Sequence, residues 1–278
     1  MTAWSSLAIN SPVSATERHA VSLSGVFLEY QAKNGLVSAL HDIDLQVPEG
    51  RFVAIVGPSG CGKSTLLQLM SGLMKPTKGQ VLHFGKPLTG IAVGTGFAFQ
   101  GDGLLAWKTV AENIALPLRL QGASRDDIRA RVADWIKRCG LTRFASAYPS
   151  QLSGGMRKRV ALAQALVAQP KLVLMDEPLS ALDVQTRTII GNELLTLWSR
   201  TESTMVLVTH DLEEAIGMAD SVVVLTHRPA RVKAVYDVHL PRPRDLHDIR
   251  LTDEFQRLYA AIWSDLREEV LRSHVEMD

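Results

Sequence analysis

The chain has 278 residues, 46% of them hydrophobic, enough for one large domain with a full core. Thirty Lys and Arg against 29 Asp and Glu leave a formal net charge of +1, so no overall field draws it to nucleic acid or an acidic membrane surface. The two cysteines, Cys61 and Cys139, read as reduced intracellular thiols and exclude a disulfide scaffold.

Residues 1–20 are rich in Ser, Thr and Ala with no basic start ahead of an apolar block, and read as a flexible tail rather than an export signal. Val21–Tyr30 and His41–Val47 alternate apolar and polar residues around a turn at Gly35, the pattern of antiparallel strands. Phe52–Val56 is a buried strand that runs into Gly57-Pro58-Ser59-Gly60-Cys61-Gly62-Lys63-Ser64. Lys63–Leu73 follows as a helix with Leu66, Leu67 and Met70 on one face and Gly72 near its end. Phe97–Gln100 reads as a strand end. From Gly101 to about Gln151 the pattern turns helical, broken by Pro117, Gly122, Gly140 and Pro149, which predicts a helical insert.

Beyond the insert, helices Gly155–Val167, Val184–Trp198 and Leu212–Met218 alternate with strands Leu172–Met175, Met205–Val208 and Ser221–Leu225. That alternation predicts an α/β fold with a parallel sheet covered on both faces. Val232–Val238 is a further strand, and Pro241-Arg242-Pro243-Arg244 forces an extended linker. Leu251, Phe255, Leu258, Tyr259, Ile262, Leu266 and Val270 then recur at helical spacing, an amphipathic helix capped at Thr252 and packed on the core. The longest apolar runs are strand-sized, so the chain is expected not to span a membrane, and a cytoplasmic location is the default.

The chemistry gathers at two glycine-rich helix starts, each suited to an anion. In Gly57–Ser64 the glycines let backbone N–H groups approach phosphates, Lys63 reaches the β and γ phosphates, and the Ser64 hydroxyl ligates Mg2+. Asp176 and Glu177 end an apolar strand, where a parallel sheet presents its ligands. Asp176 suits the Mg2+ shell and Glu177 the attacking water. His210 ends another strand and brings an imidazole to the same edge, toward the γ phosphate, while Gln100 offers the metal its amide oxygen. Ser153-Gly154-Gly155 opens a helix with a hydroxyl, free N–H groups and the positive end of the helix dipole, more than a tight turn needs.

Together these residues resemble the ATP-binding cassette family, from about Val21 to Leu225. Gly57–Ser64, with Thr65 after it, resembles the Walker A loop, Gln100 the Q-loop, and Leu152–Met156 the family signature. Leu172–Glu177 resembles the Walker B strand, Ser180-Ala181-Leu182-Asp183 the D-loop and His210 the switch histidine, while Tyr30 falls at the adenine-stacking aromatic. The resemblance implies a P-loop NTPase core with a mixed sheet over 21–240, an antiparallel β subdomain, the α-helical insert at about 101–151, and a C-terminal linker and helix over 241–278.

Gly103–Val110, Thr226–Arg231 and the tail around Phe255 and Ile262-Trp263 resemble the nitrate, sulfonate and taurine importers. Three positions depart from the family pattern. Ala106 replaces a proline, Lys158 replaces a glutamine and so bears on contact with the ribose held by a partner, and Gln164 replaces an arginine and so bears on a salt bridge.

The resemblance implies ATP and Mg2+ as cofactors and a head-to-tail homodimer. Each ATP would lie between Gly57–Ser64 of one copy and Ser153–Gly155 of the other. Separate membrane permease subunits would insert a short helix near the groove behind Gln100, where the segment carrying Trp107 begins. A periplasmic or extracellular solute-binding protein would act indirectly, nucleic acid would not be a partner, and the chain would sit peripherally on the cytoplasmic face of the inner membrane. The alternatives are a soluble small-molecule kinase, which has no use for Ser153-Gly154-Gly155, a non-transport cassette ATPase acting on DNA or the ribosome, and an importer of a different small solute.

Overall fold

Two sheets share one α/β body in the computed structural model, which describes residues 18–32, 35–180 and 182–275. The expected flexible tail lies outside the described residues over 1–17, and residues 19 and 20 already belong to the first strand. The first sheet is antiparallel: β1 (His19–Ala32) pairs with β2 (Gly35–Pro48) and with β4 (Lys78–His83), and β5 (Lys86–Pro87) closes the order β2-β1-β4-β5. β4 and β5 have no counterpart in the sequence reading. Lys78, Gly79 and Gln80 are all exposed and Val81 is the only buried residue of β4, so no alternation betrays the strand.

The second sheet is mixed, in the order β10-β9-β3-β8-β7-β6. β3 (Phe52–Val56), β6 (Thr95–Ala98), β7 (Leu172–Asp176), β8 (Thr204–Val208) and β9 (Ser221–Leu225) run parallel, and β10 (Val232–Asp237) pairs antiparallel on the outside. Every residue of β3, β7 and β8 is buried, as expected where both faces are covered. The pleat divides the core in two. Phe52, Ala54, Val56, Val173, Met175, Met205 and Leu207 pack into the larger hydrophobic cluster, and Val53, Ile55, Leu172, Leu174, Val206 and Val208 into the smaller one beside the antiparallel sheet.

Helix α1 (Lys63–Ser71) stops where Gly72 adopts a left-handed conformation with φ 73°, two residues short of the expected end. The insert consists of α2 (Val110–Leu120), α3 (Arg125–Arg138) and 3-10 turns at Thr142–Phe144 and Pro149–Gln151, leading into α4 (Gly154–Leu166). Pro117 lies inside α2 instead of breaking it. Burial of Val110, Ile114 and Leu118 offsets the single hydrogen bond that proline removes. β6 ends at Ala98, whose partner on β7 is Met175, so Phe99 and Gln100 lie beyond the ladder as loop.

α5 (Val184–Trp198), α6 (Leu212–Met218) and α7 (Asp253–Val275) complete the chain. The Pro241–Arg244 segment is pinned rather than free. Arg244 is buried and donates to the carbonyls of Ala219 at 2.6 Å and Leu240 at 3.0 Å, and Arg242 reaches Asp220 at 2.7 Å. α7 then buries Phe255, Ile262 and Leu266 in the larger cluster, with the Thr252 hydroxyl accepting from the Phe255 N–H at 3.4 Å. Among the described residues no helix is long and apolar enough to cross a membrane.

Candidate active site

The loops that follow β3, β6, β7 and β8 leave the parallel sheet at one edge, which is where an open α/β sheet gathers ligand-binding groups. Strand β3 passes directly through residues 57–62 into α1. A Cβ on Gly57 would stand 2.9 Å from Cys61 Sγ and 3.1 Å from Leu225, so only glycine lets the strand turn here. Gly62 has φ 121° and would press a side chain against Leu40. Helices α2 to α6 each have an N-cap side chain accepting a backbone N–H, from Thr109, Ser124, Ser153, Asp183 and Asp211. α1 has none, and its first turn contains no acidic residue. Its free N–H groups and positive dipole end therefore face the open loop around Ser59 and Gly60, which fits an anion.

Lys63 is buried at 6% exposure, and its Nζ donates to the carbonyls of Gly57 and Pro58, each at 2.9 Å. An ammonium has three protons, so a third N–H remains for a ligand. Ser64 Oγ donates to Asp176 Oδ1 at 3.0 Å across 112 residues of sequence. Burial holds the Asp176 carboxyl above the ordinary carboxylate range; the Ser64 hydrogen bond opposes that and the neighbouring Glu177 charge adds to it. Such an acid gains by neutralisation from a cation. Among the described residues no three His, Cys, Asp or Glu converge, so a divalent ion here would take Ser64, Asp176 and ligand oxygens, the manner in which Mg2+ is held.

Glu177 stands just past β7 with φ 44°, left-handed for a non-glycine residue, and its N–H donates to the Val208 carbonyl at 2.9 Å. That backbone turn aims its carboxylate at two neighbours: Oε2 lies 3.1 Å from His210 Nδ1 and 3.5 Å from Gln100 Nε2. The amide of Gln100 thus meets Glu177 rather than the Ser64–Asp176 pair. The residues on either side of His210 are held by their own contacts. Thr209 Oγ1 donates to Glu214 at 2.8 Å, Glu214 is pushed up to about 7 by burial, and Asp211 both caps α6 and accepts from Arg187 of α5 at 2.6 Å. Sequence reasoning missed Arg187 and Glu214. Their only signal was the Asp211 cap three residues ahead of Glu214.

Tyr30 is half-buried on β1, its hydroxyl 3.2 Å from Thr65 Oγ1 and 3.5 Å from Met74 Sδ. Ser153, Gly154 and Gly155 stand apart. No hydrogen bond or ion pair among the described residues joins them to Gly57–Ser64, and the Ser153 hydroxyl accepts from Met156 N–H at 3.3 Å as the cap of α4. A Cβ on Gly155 would crowd Thr186 at 3.2 Å, whereas one on Gly154 would meet only the tip of Arg157 at 3.9 Å. The fold gives no internal reason for the second glycine-rich start to be bare at Gly154. Lys158 turns inward: it is 4% exposed and its Nζ donates to the Gln100 carbonyl at 2.6 Å. Gln164 lines a groove of about 360 Å3 with Phe97, Phe99, Leu116 and Leu120.

A family model described as ABC transporter matches residues 40–180. Over 244 residues the chain is 44% identical to an uncharacterized ABC transporter ATP-binding protein of Methanocaldococcus jannaschii, covering 88% of this chain and 90% of that protein. The chain belongs to the ABC transporter family. The cassette is also 37% identical over 238 residues to an aliphatic sulfonates import ATP-binding protein of Bacillus cereus, across 86% of this chain and 92% of the relative. To a nitrate import ATP-binding protein of Synechocystis it is 41% identical over 212 residues, 76% and 80% of the two chains. A solved dimeric ATP-binding cassette in a post-hydrolysis state, bound to ADP and Pi, superposes with a TM-score of 0.72 at 33% identity, over 80% of this chain and all of that one. The cassette is an ATP hydrolase of this family with the P-loop NTPase fold, its mixed sheet flanked by the antiparallel sheet and the helices.

Proposed function

We propose that this cassette energises uptake of a small anion, of the sulfonate, taurine or nitrate class, through separate permease subunits while resting on the cytoplasmic face of the membrane. The substrate class rests on the likeness to the sulfonate and nitrate import proteins, together with the sequence resemblance around Gly103–Val110 and Thr226–Arg231. The observation that carries the catalytic reading is the convergence of Lys63, Ser64, Asp176, Glu177, Gln100 and His210 on one sheet edge while Ser153–Gly155 stays apart.

In this reading the N–H groups of Gly57–Ser64 and the Lys63 ammonium hold the β and γ phosphates, and Tyr30 stacks on the adenine. Ser64 and Asp176 would hold Mg2+, which would supply positive charge beside the phosphates, and Gln100, whose amide now meets Glu177, would offer the ion its amide oxygen. Glu177 orients the attacking water and accepts its proton, and His210, in contact with Glu177, steadies the γ phosphate beside it. Ser153, Gly154 and Gly155 of a second copy complete each site. The groove lined by Phe99, Leu120 and Gln164 receives the permease's cytoplasmic helix, both aromatic and leucine being exposed there.

The test is Glu177→Gln, which keeps the shape and removes the base. Nucleotide binding is expected to persist while phosphate release slows by about 10²- to 10⁴-fold. Turnover at the wild-type rate would overturn the role of Glu177. Substrate class is tested by reconstituting the cassette with its permease and binding protein and measuring sulfonate-, taurine- and nitrate-stimulated ATP hydrolysis.

A further inference from the structure

Two consecutive cations of α4 close on one loop. Lys158 Nζ donates to the Gln100 carbonyl at 2.6 Å and lies 3.6 Å from Asp102 Oδ1, and Arg157 Nε donates to Asp102 Oδ2 at 2.6 Å. Arg157 also donates to the carbonyl of Leu152, just before the Ser153 cap. Residues 99–105 have neither helix nor strand hydrogen bonds, so the backbone of this loop depends on such outside partners. Lys158 is almost wholly buried, where an ammonium is tolerated only with good acceptors, and the contact, at 2.6 Å, is at least as short as a charge-assisted hydrogen bond. The family pattern has a neutral glutamine here.

We propose that Lys158 is a positioning residue, a charged latch that fixes the backbone of Gln100 to the helix opened by Ser153–Gly155. The contacts run without a gap from the Ser153 cap through α4 to Lys158, then to Gln100, to Glu177 and to His210. A shift of α4 as a unit therefore moves the Gln100 carbonyl and re-aims the amide against Glu177. The inference rests on the reading that Gln100 and Ser153–Gly155 serve one hydrolytic cycle. It adds that in this chain a buried lysine carries the link.

The experiment uses the full-length protein and measures three things for Lys158→Met, Lys158→Gln and Asp102→Asn: nucleotide binding, the kcat and KM of phosphate release, and amide hydrogen exchange along the chain. Lys158→Met removes the donor at similar length. It is expected to leave nucleotide binding and KM unchanged, to lower kcat by about 5- to 100-fold, and to speed exchange selectively over residues 99–105. Lys158→Gln restores a donor and recovers most of the lost kcat. Asp102→Asn weakens the latch from the other side and loosens the same loop, which keeps the idea testable should Lys158→Met not fold. A wild-type kcat in Lys158→Met, exchange that rises throughout the chain rather than in the loop, or no rescue by glutamine overturns the latch. Wild-type turnover in Glu177→Gln would instead bring down the underlying site reading. Loss of turnover in Glu177→Gln beside normal kcat and exchange in Lys158→Met removes the latch alone.

Discussion

Glu177 is held at φ 44° by a hydrogen bond to Val208, in a conformation that costs a non-glycine residue about 1–3 kcal/mol. The strain is localised, so it can be measured apart from the carboxylate. Glu177→Gly and Glu177→Gln both lack the acid, but only glycine tolerates the backbone. We expect Glu177→Gly to be more stable than Glu177→Gln by about 1 kcal/mol in urea titrations, with turnover slowed in both. Equal stabilities would show that the turn is unstrained. The pairings at this scale were legible where they join strand ends: Ser64 with Asp176, and Glu177 with His210, follow from parallel strands that deliver their loops to one edge. The inward course of Lys158 was not. A lysine one turn into a helix reads as solvated, and only the placement of the Gln100 loop beside α4, set by tertiary packing, turns it into a buried donor.

α7 and the hairpin of β9 and β10 illustrate the same point between elements. The helical spacing of Phe255, Ile262 and Leu266 was readable in the sequence, and these side chains are buried against α6 and β9. Phe255→Ala should destabilise the protein by about 3–5 kcal/mol, measured by urea unfolding; a loss near zero would mean that α7 is dispensable to the core. The charges that dock it could not be read. Glu269 accepts from the His227 N–H at 3.0 Å and from Lys233 Nζ at 3.0 Å, and His227 Nδ1 lies 2.7 Å away. Burial alone would raise the Glu269 carboxyl, yet these hydrogen bonds bring it from its ordinary 4.5 to about 2. A carboxylate depressed by folding stabilises the protein above its ordinary pKa and ceases to do so as pH falls through the folded value. Melting temperature should therefore drop between pH 4.5 and about 2 by more than it does in Glu269→Gln, and parallel curves would remove Glu269 from the docking. β4 escaped for the opposite reason. Gly79, with φ 86°, crosses β1 so closely that a Cβ would lie 2.1 Å from the Gly25 carbonyl, so a glycine that looks like a turn signal is a point of contact between strands.

For the molecule as a whole, the proposed completion of each site by Ser153–Gly155 of a second copy would make turnover a bimolecular property. Specific activity should rise with protein concentration, and Ser153→Arg should keep nucleotide binding while abolishing that rise; concentration-independent turnover would favour a self-sufficient monomer. The uncapped start of α1 has a further consequence. Six helices, α2 to α7, have a capping side chain at their first turn, whereas α1 leaves its leading N–H groups unsatisfied by any cap and lies against the smaller hydrophobic cluster through Leu66, Leu67 and Met70. Nucleotide bound as proposed would act as the missing cap of this helix, and ligand occupancy would become part of the folding equilibrium. At a hundredfold excess over its Kd, a nucleotide bound only to the native state would add about 2.7 kcal/mol, so occupancy of this site would set how long each copy of the cassette survives unfolding and proteolysis.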